Sequence, residues 1–220
     1  MRAILLATLF VISSWLYAAV ANAENARAMT IIALGDSLTA GYGLGVSEGF
    51  VPSLSRELEK LSQTDENLNG IKIINAGVSG DTTSGALSRL LWSVPETADA
   101  VIVALGGNDA LRAIAPEITE ENLEKIISSL QARGQAVFLI GMRAPPNLGG
   151  AYTQAFDALY PRLAKKYGLA YYPFFLDGVA GQLELNLNDG IHPNAQGIAE
   201  IIKRVTPSLV AFVKSLEITD

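Results

Sequence analysis

Apolar residues recur along this chain in two alternating patterns, short uninterrupted runs and longer stretches with helical spacing. The runs are residues 30–34, 71–76, 99–105, 136–141 and 169–172, and runs of this length bounded by Gly, Pro or polar turns predict strands. After Asp99 the third run is apolar throughout, as expected of a strand covered on both faces. Between the runs, residues 48–61 place Phe50, Leu54, Leu58 and Leu61 at helical spacing, and further helices are expected over 83–92, 119–132, 151–167 and from Pro193 to about 216. Thr119 and Asn122 resemble the start of the third helix and Gly134 its end, while Pro161 is expected to kink or divide the fourth. Strands alternating with helices imply an α/β fold, a three-layer α/β/α sandwich on a five-stranded parallel sheet with right-handed crossovers. Its expected strand order is flavodoxin-like, which puts any ligand beyond the carboxyl ends of the strands.

The first 23 residues fall outside this alternation. Arg2, the apolar run from Ala3 to Val20 and the small-x-small sequence Ala21-Asn22-Ala23 read as a secretory signal that is cleaved, leaving no stable membrane insertion. No Pro/Gly/Ser-rich linker divides the remainder, so residues 24–220 are expected to form a single domain. The chain has no cysteine, which excludes disulfides, a thiolate nucleophile and thiolate metal sites. With one histidine in addition, a zinc site is not expected, while composition leaves open a carboxylate-only site for a hard cation. The net charge of -6, with no basic run, argues against a nucleic-acid partner, and a monomer acting on a small molecule is the expectation.

The single histidine, His192, stands in Asp189-Gly190-Ile191-His192-Pro193. Histidine is the side chain whose unperturbed pKa suits acid–base chemistry near neutrality, and an Asp three residues upstream can reach back to orient it. The first three predicted strands each end in a polar turn: Gly35-Asp36-Ser37, Asn75-Ala76-Gly77-Val78-Ser79-Gly80-Asp81 and Gly106-Gly107-Asn108-Asp109. Each turn alone is equally an ordinary turn or helix cap. Together they supply what a serine hydrolase needs. Ser37 is the candidate nucleophile, His192 the base and Asp189 its orienter, and the backbone N–H groups of Ser37 and Gly77 with the Asn108 amide are candidate oxyanion donors.

These blocks closely resemble the SGNH (GDSL) hydrolases, over nearly the whole mature chain. The likeness is greatest to the exported bacterial arylesterase, acyl-CoA thioesterase and lysophospholipase group, through residues 35–43, 75–83, 105–112 and 189–197. The resemblance implies a cofactor-free hydrolase of esters and thioesters that works through an acyl-serine intermediate and is located in the periplasm or secreted. A carbohydrate O-acetylesterase would use identical blocks, and a non-catalytic acyl- or sugar-binding module is a more distant alternative. Ser37-Leu38-Thr39 lacks the second Gly of a G-x-S-x-G elbow, and no P-loop or G-x-G-x-x-G occurs. Leu111 and Ile114 after the Asn block, with Pro145 in the loop that ends at Gly150, are expected to line an acyl groove.

Overall fold

The computed structural model describes residues 29–216, so the expected signal segment at 1–23 lies outside the described residues. Five strands form one parallel sheet: β1 (Thr30–Gly35), β2 (Lys72–Gly77), β3 (Ala100–Ala104), β4 (Ala136–Ile140) and β5 (Ala170–Tyr172), in the order β2-β1-β3-β4-β5. Burial follows that order. Every residue of β3 is buried, as are all but the first of β1 and β4, because neighbouring strands and helices cover them. The edge strand β2 is half exposed, which is why Lys72 and Asn75 are tolerated in it.

Helices cover both faces of the sheet. They are α1 (Ser37–Ala40), α2 (Phe50–Ser62), α3 (Thr83–Ser88), α4 (Leu90–Ser93), α5 (Gly107–Leu111), α6 (Pro116–Ala132), α7 (Gly150–Tyr167) and α8 (Ala195–Leu216). The pairs α2 with α8, α6 with α7 and α3 with α6 pack together, and their inward side chains join the strands in one apolar core. Among the described residues no helix is long and apolar enough to cross a membrane.

Several boundaries depart from the periodicity for local reasons. The helix expected over 83–92 is divided at Arg89, which leaves helical geometry at φ -103 and ψ 2. Its buried guanidinium reaches Asp81 Oδ2 at 2.7 Å, Ser93 Oγ at 3.0 Å and the Gly35 carbonyl at 3.1 Å. The third helix starts at Pro116, three residues early, because proline at the first position has no N–H to leave unpaired. Thr119, read as a start signal, is instead fully buried. Pro161 neither divides nor ends α7, whose flanking Phe156, Leu159, Tyr160 and Leu163 are all held in the core. The last helix does not begin at Pro193. That residue bridges to Asn186, and Asn194 caps α8 by accepting from Gln196 N and Gly197 N, each at 3.0 Å.

The sheet register sets up the site. Gly35 at the end of β1 stands opposite both Gly77 of β2 and Ala104 of β3. The turns that follow these three strands therefore leave the sheet at one level, beside the point where the chain crosses from one side of β1 to the other.

Candidate active site

Gly35 can precede the serine turn because it has no side chain: a Cβ there would lie 2.0 Å from Thr39 Oγ1 and 2.8 Å from the Ala104 carbonyl. Asp36 then caps α1, its Oδ1 accepting from Leu38 N at 3.0 Å, and Ser37 opens the helix. Gly41, at φ 84, ends α1 after one turn, and Tyr42 N donates back to the Ser37 carbonyl at 3.1 Å.

The histidine arrives on a second closed turn. Leu187 N donates to the His192 carbonyl at 2.7 Å, and the Asn186–Pro193 bridge closes the loop behind it. Asp189 Oδ1 accepts from both Ile191 N, at 2.9 Å, and His192 N, at 3.0 Å. Its other oxygen lies 2.7 Å from His192 Nδ1, and His192 Nε2 lies 2.9 Å from Ser37 Oγ, 155 residues away in sequence. The His192 and Ile191 amides hold the Asp189 carboxyl down to about 2, so it is an anion throughout the neutral range. A carboxylate only accepts, so the imidazole proton resides on Nδ1 and Nε2 is left to accept from the serine. Sequence reasoning missed the ring of Tyr42, which packs against His192 with centroids 4.5 Å apart.

Asn108 sits on α5, just past Gly106, whose φ of 109 and close approach to Tyr160 Oη exclude a side chain. Its Nδ2 donates to Asp36 Oδ2 at 3.3 Å. Burial pushes the Asp36 carboxyl up to about 6, against the lowering effect of its bonds to Leu38 N and Asn108.

Gly77 departs from expectation. Its N–H donates to Asn75 Oδ1 at 2.9 Å, and its α-carbon is pressed against α1, where a Cβ would meet Ala40 N at 2.4 Å. Gly77 serves the packing of β2 on α1 and does not line the cavity beside Ser37. Gly80 does, with φ 81, and among the described residues no hydrogen bond uses its N–H. A second glycine three positions on in the same turn was the available signal.

Ser37, Gly80, Asn108 and His192 share one cavity of about 650 Å³. Leu111 and Pro145 line it as expected, together with Met142, Phe174, Leu176 and Ile191. Arg143 lies 5.0 Å from the centroid of the Phe174 ring. Ile114 does not line the cavity. Its N–H is bonded to the Asp109 carbonyl and its carbonyl accepts from Tyr152 Oη at 2.7 Å, which turns the residue away. A hydroxyl, an oriented imidazole and convergent N–H donors on an apolar cavity are the parts required for acyl transfer.

Comparison with known proteins agrees with that chemistry. The model of the GDSL-like Lipase/Acylhydrolase family matches residues 33–199. The chain is 37% identical to Esterase TesA of Pseudomonas aeruginosa over 187 residues, covering 84% of this chain and 90% of that protein. It is 34% identical to an Arylesterase of Vibrio mimicus (86% and 92% covered). It is 36% identical to Thioesterase 1/protease 1/lysophospholipase L1 of Escherichia coli K12 (77% of each). Among solved structures, a crystal structure of TesA superposes with a TM-score of 0.76 at 36% identity, covering 82% of this chain and 98% of that one. The SGNH-hydrolase family esterase AlinE4 gives 0.68 at 41%, covering 84% and 96%.

Asp36 makes stability depend on pH in a specific direction. Its carboxyl binds a proton more tightly in the folded protein than in an unfolded chain, so its contribution is most favourable below about pH 4 and is lost as pH rises to about 6, by about 3 kcal/mol in all. Asp36→Asn removes this titration. The stability of the variant minus that of the parent, from urea unfolding at each pH, is expected to grow by about that amount between pH 4 and 7. A constant difference over that range would contradict the assignment.

Proposed function

The chain belongs to the GDSL-like lipase/acylhydrolase family and is a serine hydrolase of carboxylic esters and thioesters; from that premise we propose how its own residues carry the reaction. Ser37 Oγ attacks the acyl carbonyl while His192 Nε2 takes its proton, and Asp189 holds the imidazole in position and stabilises the imidazolium. The carbonyl oxygen becomes an oxyanion received by the N–H groups of Ser37 and Gly80 and by Asn108 Nδ2. Collapse expels the alcohol or thiol, protonated by His192, and leaves an acyl-serine. Water, deprotonated by the same imidazole, then attacks that ester and returns the carboxylic acid and free Ser37.

The observation that carries this reading is the unbroken chain from Asp189 through His192 to Ser37, at 2.7 and 2.9 Å, on the wall of an apolar cavity. Ser37→Ala and His192→Ala are each expected to lower kcat by about 10⁴- to 10⁶-fold while urea unfolding stays cooperative, and the double variant should cost little more than either. A fluorophosphonate should label Ser37 of the parent protein only. Full activity in Ser37→Ala, or labelling at another residue, would reject the mechanism.

The acyl chain occupies the apolar side of the cavity formed by Leu111, Met142, Pro145, Phe174 and Leu176. Such a lining suits a hydrocarbon and gives the acetyl-sugar alternative no support. Burial of each methylene is worth about 0.8 kcal/mol, so kcat/KM on p-nitrophenyl esters should rise by up to about fourfold per carbon until the groove is filled. Leu111→Ser should flatten that rise without affecting phenyl acetate hydrolysis, whereas Ile114→Ser should leave the chain-length profile unaltered. Equal losses on acetate and octanoate esters in Leu111→Ser would place the acyl chain elsewhere.

The protein acts as a monomeric hydrolase domain of residues 24–220 in the periplasm or outside the cell, after removal of residues 1–23, with neither cofactor nor nucleic-acid partner. The small-x-small sequence at Ala21–Ala23 supports the cleavage, and the acidic charge without a basic run supports the absence of a nucleic-acid partner. N-terminal sequencing of the exported protein is expected to begin at or near Glu24, and recovery of an intact Met1 chain would reject it.

A further inference from the structure

We propose that Asp109, the buried carboxylate next to Asn108, is a positioning residue that fixes the distance between the two oxyanion donors Asn108 and Gly80. The inference rests on the reading of those two groups as donors. Asp109 has no solvent exposure and touches none of Ser37, His192 or Asp189 through a hydrogen bond. Two of its three hydrogen bonds go to Thr83, on the other donor's segment, and the third to Thr119 of α6. Oδ2 accepts from Thr83 N at 2.9 Å, and Oδ1 accepts from Thr83 Oγ1 at 2.5 Å and from Thr119 Oγ1 at 3.3 Å. Asn122 Nδ2 donates to the same Thr83 hydroxyl at 3.2 Å.

Thr83 is three residues beyond Gly80, at the start of α3, where its N–H has no partner within the helix. On the side nearer Gly80 the loop is held by a different buried group, since Asp81 pairs with Arg89, whose Nη2 reaches the Gly35 carbonyl just before the nucleophile. These two buried anchors act beside an exposed one, Arg112 Nη2, which donates to the Gly80 carbonyl at 2.8 Å. Arg89 ties the Gly80 loop to the Ser37 turn, and Asp109 ties it to the Asn108 helix. Both oxygens of Asp109 accept, whereas an amide keeps the bond from Thr83 N only by turning its NH2 toward the two threonine hydroxyls, of which that of Thr83 already accepts from Asn122. Thr83 would then withdraw and the two oxyanion donors would no longer converge on one oxygen, a displacement felt in the transition state more than in substrate binding.

The test is a double-mutant cycle on ester hydrolysis by the purified mature enzyme, at a temperature where thermal unfolding shows every variant folded. Asn108→Ala should lower kcat by about 10²- to 10³-fold. Asp109→Asn should lower kcat by ~10- to 100-fold with KM within about twofold. In the Asn108→Ala background Asp109→Asn should cost several-fold less than in the parent, because one of the two donors it aligns is gone and only the placement of Gly80 is left to disturb. Should Asp109→Asn fail to fold, Thr83→Val, which removes one hydroxyl and keeps the N–H, is measured in both backgrounds, and Thr83→Ser should restore activity. An undiminished loss from Asp109→Asn or Thr83→Val in the Asn108→Ala background, or a loss confined to KM, would overturn the proposal and leave the donor assignment standing. An Asn108→Ala enzyme with unchanged kcat would instead reject the donor assignment and the positioning role with it.

Discussion

The register that sets Gly35 opposite both Gly77 and Ala104 is the constraint on which the remainder of this molecule depends. A parallel sheet in which β1 ends level with its neighbours β2 and β3 delivers three turns to one place, and the chemistry is distributed over those turns. That register requires backbones to approach more closely than side chains allow. At Gly35 and Gly77 a single added carbon would collide with main-chain atoms of β3 and α1, so two glycines fix how tightly the serine turn is seated between its neighbours.

The site is built from polar groups buried around that junction, each satisfied by another part of the site. Asp36 caps the nucleophile's helix with one oxygen and receives Asn108 with the other. Arg89 joins the Gly80 loop to the Gly35 carbonyl, and Asp109 joins Thr83 to the Asn108 helix. Unpaired, any of these groups would cost several kcal/mol of burial. Paired, they hold the donor positions without depending on mobile surface side chains. The histidine turn differs in being closed locally, through Asp189 and the Asn186–Pro193 bridge, and its side chain is presented to the serine as a preassembled unit.

Most of the apolar lining of the cavity comes from segments outside the catalytic turns, Leu111 excepted, which shares α5 with Asn108. Leu111 ends α5, Met142 and Pro145 lie in the β4–α7 connection and Phe174 and Leu176 in the β5–α8 connection, and together they give the cavity an apolar side. In the proposed reading the catalytic turns are joined to a hydrocarbon-binding surface, and altering those two connections would change the substrate without disturbing the chemistry.

What the amino-acid sequence determined by itself was everything set by local pattern or short spacing. The central strands were legible because coverage on both faces leaves only apolar residues in them. The Asp189–His192 pairing was legible because an aspartate reaches a histidine three residues on through one turn of backbone, and Ser37 because a strand run ends immediately before it. The tertiary structure decided what depends on competition between distant partners. The letters Gly77-Val78-Ser79-Gly80 pointed to Gly77 as the donor, whereas in the fold Asn75 captures the Gly77 amide and Gly80 is the glycine that lines the cavity. Ile114 has the side chain of a groove residue, but Tyr152 and Asp109 hold its backbone so that it faces away. Pro161 carries the letter of a helix breaker, yet core contacts on either side outweigh one missing hydrogen bond. In each case the deciding energy belongs to a contact between residues far apart in sequence, which no local pattern encodes.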